Sequence, residues 1–367
     1  MKIAVITRHA ITNYGSLLQA MATQKVIEEL GHSCEIIDYI RKDESYFQYE
    51  ATALRRKPNW YNHFMKRTLY LALRQPESII AGIRFEKARK KYLAMTRRYT
   101  SAEQLLKEKP LADVYMTGSD QVWGPVVSGE YDNSYCLGFT ADSDKRISYA
   151  ASFGWAEMEQ NLTEYYKKWL SRYHHIAVRE DKAVSILEGI GIQACQVLDP
   201  TFLITAADWE KYTVPIPDKK YVLVYQLGNT TNLSSYARKI AQKKGLKLLR
   251  ISPYLHQISR AGKLIWLPNP GQFLSYIKNA ECMVTDSFHG TAFAINFNTP
   301  FVEVLPNNNT KSRNTSILNL TGLSDRILKS EEDTELADKP IDFMKANQIL
   351  AEERLKSLAV LKEMIER

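Results

Sequence analysis

A short β-prone run that breaks into a polar loop and is then followed by a helical pattern recurs along most of this chain, and it limits the possible folds more than any other feature. The first case is Lys2 to Thr7, a polar loop holding Asn13 and Gly15, then Leu17, Leu18, Met21, Ile27 and Leu30 at helical intervals, with Gly31 as the stop and Cys34 to Tyr39 as the next strand. A strand, helix and strand within about forty residues form a βαβ unit, and its right-handed crossover makes the two strands parallel. The pattern returns at Ala112 to Thr117, Ile147 to Ser152 and Ile176 to Arg179, with helices from about Glu157 to Tyr173 and Glu180 to Glu188 and a short strand ending at Leu198. A second series runs Tyr221 to Leu227, Leu246 to Ile251, Ile265 to Leu267, Cys282 to Thr285 and Phe301 to Leu305, with helices reaching Lys244 and Ala280 and another after Thr285. Two doubly wound α/β halves facing a cleft are the expected architecture.

Length agrees, since 367 residues exceed one ordinary core and suit two. The expected division is an N-terminal Rossmann-like domain over 1–200, carrying a basic helical insert at about 41–110, and a C-terminal Rossmann-like domain over 218–340. A terminal helix over 341–367 is expected to pack back on the N-terminal domain. The junction falls between Asp199 and Pro217, where three prolines and little periodicity occur.

The apolar run at the N-terminus is too short for a signal-peptide core, and nowhere do about 18 apolar residues run together. A cytoplasmic protein is the expectation. Cys34, Cys136, Cys195 and Cys282 lie far apart without metal spacing, and the adjacent His174 and His175 read as a helix end and a strand start. No metal and no cofactor is expected. The net charge of +8 is uneven: residues 51–100 hold thirteen Lys and Arg against Glu77 and Glu86, a local +11, so the remainder is at −3. A nucleic-acid binder would spread basic charge over its folded surface, so no nucleic acid is expected as a partner.

Chemistry concentrates where strands end. After Cys282 to Thr285, Asp286 and Ser287 suit a helix cap, Gly290 permits close backbone approach, and His289 falls in the first helical turn. A histidine beside helix-start amides can pass a proton next to a bound anion; a solvated histidine beside a cap is the competing reading. Past the turn Asn307 to Asn309, Lys311 and Arg313 suit a phosphate or carboxylate clamp, or are solvated surface charges. Arg179 ends a strand before Glu180 and Asp181, and either serves an anion or pairs with those acids. Gly118, Ser119, Asp120, Gln121 and Trp123 follow another strand. There Gly118 permits close approach, Asp120 and Gln121 suit sugar hydroxyls, and Trp123 either stacks on a sugar ring or is buried beside a tight turn. Asn13 ends the neighbouring first strand and can line the same rim. Gly15 alone is no dinucleotide fingerprint.

Taken in order, Asn13-Tyr14-Gly15 with Leu17, Leu18 and Gln19, then Gly118 to Trp123, Ser148 to Gly154, Val178 to Asp181, Val197 to Thr201 and Asp286 to Gly290 resemble the polysaccharide pyruvyl transferase family. The insert at 41–110 carries little of that likeness. The resemblance implies a fold like the GT-B glycosyltransferases and an enzyme that uses phosphoenolpyruvate to set a pyruvate ketal on a sugar for capsule or exopolysaccharide. It also implies His289 and Arg179 as catalytic residues and Lys311 as the downstream cation, with Arg313 close enough to take its place.

The basic segment 51–100, with its interleaved aromatics, predicts an acceptor linked to undecaprenyl diphosphate and peripheral contact with anionic lipid at the inner membrane face. A solvated insert at the dimer contact of a homo-oligomer explains it equally. Two other functions stay open: a glycosyltransferase of the same architecture using a nucleotide sugar, and a non-catalytic sugar- or anion-binding protein.

Overall fold

Strands buried on both faces need apolar residues at every position, and the β-prone runs supply them: Tyr221 to Tyr225 is wholly buried. The computed structural model describes residues 1–228, 231–306 and 311–367. It divides into two units, Met1–Pro200 with Val360–Arg367, and Thr201–Ala359.

The first unit holds six strands: β1 (Lys2–Ile6), β2 (Ser33–Ile36), β3 (Val114–Thr117), β4 (Lys145–Ala151), β5 (His175–Val178) and β6 (Cys195–Gln196). They pair in parallel in the order β2-β1-β3-β4-β5-β6. Asn13 caps the helix Tyr14–Glu29 by accepting from the Gly15 amide at 2.8 Å, and Gly31 beyond its end takes a φ of 87°, as the predicted stop requires. The insert forms helices Tyr49–Arg55, Phe64–Tyr92 and Ala102–Lys107. The predicted helix from Glu157 to Tyr173 is shorter, a single 3-10 turn and then Thr163–Leu170. One core gathers Ile6, Tyr115, Phe153, Tyr166 and Val178.

The second unit holds β7 (Tyr221–Tyr225), β8 (Lys247–Ser252), β9 (Lys263–Trp266), β10 (Cys282–Thr285) and β11 (Phe301–Glu303), parallel in the order β11-β10-β7-β8-β9. Helix Thr231–Lys244 covers one face through Leu233, Ala237 and Ile240.

The segment expected as a junction belongs to the second unit from Thr201 onward. Its prolines hide the short helix Ala206–Glu210, capped by Thr205. Trp209 is fully buried there, donates from Nε1 to the Thr201 carbonyl at 2.9 Å, and sets its ring edge-on 5.1 Å from Phe293. The terminal helix Phe343–Glu366 crosses the division: Val360–Arg367 groups with the first unit, where Lys145 donates to the Ile365 carbonyl at 2.8 Å. No helix among the described residues is long and apolar enough to cross a membrane.

Replacing Trp209 with Ala removes a large buried ring and one of the donors to the Thr201 carbonyl, which Asn296 Nδ2 also reaches at 2.9 Å. A loss of about 3–5 kcal/mol is expected from chemical denaturation, with the second unit melting first.

Candidate functional site

Each sheet reverses its strand order once, and such a switch point opens a crevice beyond the carboxyl ends of the two flanking strands. In the first unit it lies between β1 and β3; in the second, between β7 and β10. Asn13 and Gly118 to Gln121 fall at the first of these, and Asp286 to His289 at the second.

At the first switch point, hydroxyls and carboxylates lock the two strand ends together. Gln19 Nε2 donates to Thr7 Oγ1 at 2.8 Å, and Thr7 Oγ1 donates to the Ser119 carbonyl at 2.7 Å. Ser16, at the start of the helix Tyr14–Glu29, donates to Asp120 Oδ2 at 2.5 Å. Asp120 has a φ of 82°, a left-handed backbone that a non-glycine residue adopts at a cost of about 1–3 kcal/mol. Ser119 Oγ passes the network on to Asp199 Oδ2 at 2.7 Å.

Asp199 is the main partner of Arg179, whose Nη1 donates to it at 2.8 Å; Glu180 lies 3.7 Å from Nε. All three are buried. Burial disfavours the guanidinium charge, but Asp199, Glu180 and Asp120 outweigh it and push the Arg179 pKa up, so it stays a cation. A bulge in β4, with Ala150 at a φ of 53°, re-aims the strand so that Ser152 donates to Glu180 at 2.6 Å. Of the two acids that follow Arg179 in sequence, Glu180 lies beside it and Asp181 starts the next helix.

At the second switch point Asp286 Oδ1 accepts from the Leu227 amide at 2.7 Å and Oδ2 from the Gly228 amide at 2.9 Å, which pins the loop after β7 to the end of β10. Ser287 caps the helix Phe288–Asn296, accepting from the Gly290 amide at 3.2 Å. His289 is the second residue of that helix and is buried, so it is not a solvated histidine. Its backbone lies among helix-start amides that favour an anion.

Three charged residues of this unit escaped the sequence reading. Arg250, buried in β8, donates to Gln226 Oε1 at 3.0 Å and Ser234 Oγ at 2.7 Å; burial and neighbouring Arg260 push its pKa down to about 10. Arg260 reaches the Gly228 carbonyl at 3.4 Å, on the loop that Asp286 holds. Glu303, fully buried at the end of β11, accepts from Thr291 Oγ1 and, at 2.5 Å, from Asn314 Nδ2. Burial pushes its pKa up to about 8 against the lowering by those two donors. It therefore ties the helix of His289 to the helix Lys311–Leu320 as a neutral acid. The signal available for Arg250 and Glu303 was a lone charge inside a β-prone run.

The readings of Trp123, Gly118 and Gly290 need correction. Trp123 does not present a face for a sugar: it is buried, its ring 5.0 Å from Phe153 and edge-on to Tyr173. Gly118 and Gly290 make room for the protein itself. A Cβ at Gly118 would stand 3.0 Å from Val5 Cγ1, and one at Gly290 2.6 Å from Thr285 Oγ1. Gly154, with a φ of 80°, gives way to the side chain of Gln121. Lys311 is exposed at the first position of its helix and Arg313 half-buried two residues on, while Asn307 to Asn309 lie outside the described residues. Arg179 and His289 belong to different units.

A cavity of about 580 Å³ lined by His174, His175, Cys195 and Glu363 opens at the amino end of β5, the end of the sheet opposite Arg179, and offers no converging chemistry. Among the described residues no His, Cys, Asp or Glu cluster could hold a metal ion.

A family model described as polysaccharide pyruvyl transferase matches residues 13–309. No curated protein matches the chain in sequence. Among solved structures, the UDP-N-acetylglucosamine 2-epimerase of Rickettsia bellii is 12% identical with a TM-score of 0.50, over 100% of this chain and 98% of that one. An alpha-glucosyltransferase solved with UDP and a 13-mer DNA containing a central A:G mismatch is 10% identical with a TM-score of 0.51, over 98% of this chain and 95% of that one. At such identities these likenesses show the fold alone, two Rossmann-like domains of the GT-B kind.

Glu303 predicts a pH dependence. Its folded carboxyl stays protonated up to about pH 8, whereas the unfolded chain ionises from about 4.5. Stability from this group is therefore complete below pH 4.5 and falls as pH rises toward 8, by up to roughly 4 kcal/mol. In urea denaturation at pH 5 and pH 8, Glu303→Gln should lose that slope; equal slopes in both proteins would contradict the assignment.

Proposed function

Since the chain belongs to the polysaccharide pyruvyl transferase family, we propose that it moves the three-carbon unit of phosphoenolpyruvate onto a sugar, closing a pyruvate ketal across two hydroxyls and releasing phosphate. The observation that carries this reading is His289, buried in the first turn of a helix at the switch point of its sheet, in a unit whose Arg250 and Arg260 stand close to the loop after β7.

The chemistry calls for a proton donor and fixed positive charge. Protonation of the methylene carbon leaves an oxocarbenium-like centre at the adjacent carbon, and a sugar hydroxyl attacks it. Cleavage of the carbon–oxygen bond to phosphate regenerates such a centre, and the second hydroxyl closes the ring. The two hydroxyl protons balance the one delivered to carbon and the one taken up by the departing phosphate. His289 is proposed as the acid that delivers or relays the first proton. Helix-start amides after Ser287, together with Lys311 or Arg313, are proposed to hold carboxylate and phosphate and to offset charge as phosphate leaves.

Arg179, kept charged and oriented by Asp199 and Glu180, is proposed as a cation for an anionic group at the first unit's own switch point. Asn13, Asp120 and Gln121 are proposed to meet sugar hydroxyls, because they stand at the first sheet's own switch point and Asp120 holds a strained backbone there. The proposed acceptor is an undecaprenyl-diphosphate-linked sugar of a capsule or exopolysaccharide. The family and the basic segment 51–100 support that choice.

Incubation with phosphoenolpyruvate and a panel of galactosyl, mannosyl and N-acetylhexosaminyl acceptors should release phosphate and add a pyruvate ketal detectable by mass. His289→Ala should lower kcat about 10²–10⁴-fold. Unchanged turnover in that variant, or no phosphate with any acceptor, would overturn the reading.

A further inference from the structure

The helix Phe64–Tyr92 buries one face and leaves the other to solvent. Glu77, Ser78, Ala81, Gly82, Phe85 and Arg89 turn toward the protein. On the opposite side Met65, Leu69, Leu73, Ile80 and Ile83 are 73, 59, 68, 42 and 52% exposed. At 3.6 residues per turn these five fall within an arc of about 80°, and with Pro76 between Leu73 and Ile80 they form an apolar stripe over about 27 Å of the helix. Scattered exposed apolar residues need no explanation, but a contiguous stripe marks an interaction surface.

Charge decides what fits it. Lys66 and Arg84 border the stripe, Lys87 lies in line with it, and Lys91 extends it at the C-terminal end; all four are exposed. The helix has two acids, and Glu86 lies 3.3 Å from Lys90 of the same helix. Glu77 is buried, and Glu86 accepts from Tyr46 Oη and from Arg98 Nη2, each at 3.0 Å. A second copy related by a two-fold axis would set one basic border against another with no exposed acid of this helix between them. A nucleic acid would find aliphatic side chains where it needs stacking platforms. An anionic bilayer meets both demands, with headgroups for the cations and an acyl boundary for the stripe.

We infer that helix Phe64–Tyr92 lies flat on the surface of an anionic phospholipid bilayer, its aliphatic stripe set into the acyl boundary and its lysines and arginine among the headgroups. Its use to the enzyme rests on the lipid-linked acceptor proposed above, since docking would hold the protein where such an acceptor resides. The docking itself does not depend on catalysis.

Full-length protein is sedimented with vesicles of phosphatidylglycerol and phosphatidylethanolamine, or of phosphatidylcholine alone, and its oligomeric state is measured by analytical ultracentrifugation. The wild type should pellet with the anionic vesicles, and Leu69→Glu/Leu73→Glu and Lys66→Glu/Lys87→Glu should each weaken that partition by about tenfold or more. Because these side chains are exposed, melting temperature and phosphate release with a water-soluble acceptor should be unchanged. Wild type left in the supernatant of anionic vesicles at low salt would overturn the inference. So would a wild-type dimer that Leu69→Glu/Leu73→Glu splits while vesicle binding persists. Vesicle binding without phosphoenolpyruvate turnover would remove the transferase reading and leave the docking intact; turnover on a soluble acceptor without vesicle binding would do the reverse.

Discussion

A parallel sheet covered by helices on both faces leaves polar chemistry only one place to gather, the loops beyond the carboxyl ends of its strands. Tyr221 to Tyr225 and Ile3 to Ile6 are completely buried, so no reactive group can stand on either face of those strands. The order β2-β1-β3 in one sheet and β10-β7-β8 in the other then parts the crossover helices at a single point in each. Asp286, shared between the Leu227 and Gly228 amides, shows how such an opening is kept in shape: one carboxylate joins the two strand ends that flank it.

The two openings are stabilised by different means. In the first unit a cation is surrounded by acids: Arg179 is gripped by Asp199 and approached by Glu180, and Ser119, Ser152 and Ser16 take up acceptor positions on Asp199, Glu180 and Asp120. In the second unit Arg250 has neutral partners, Gln226 and Ser234, and the carboxyl of Glu303 is kept protonated by burial. Arg250 thus sits among neutral hydrogen-bond partners, with Asp286 favouring its charge and burial and Arg260 disfavouring it.

The terminal and inserted helices follow a separate logic. Phe343–Glu366 spends its last turns on the first unit, while Phe64–Tyr92 presents an apolar stripe outward with cations beside it. Helical spacing in the insert was plain from sequence, yet its apolar positions alone could not reveal which face would be covered. That depended on Tyr46, whose ring lies where a side chain at Gly82 would stand.

The succession of strands and helices, their parallel crossover pairing and the position of His289 in the first turn of a helix were determined by the amino-acid sequence itself, because apolar runs, helical spacing and cap residues act over a few neighbouring positions. Tertiary structure alone decided the strand order within each sheet, that Trp123 is core, that Gly118 and Gly290 yield to Val5 and Thr285, that Arg179 pairs with Asp199, and that Glu303 joins two helices. Each of these depends on a partner distant in the chain. Burial and charge pairing are set by what lies across the fold, and local spacing carries no record of it.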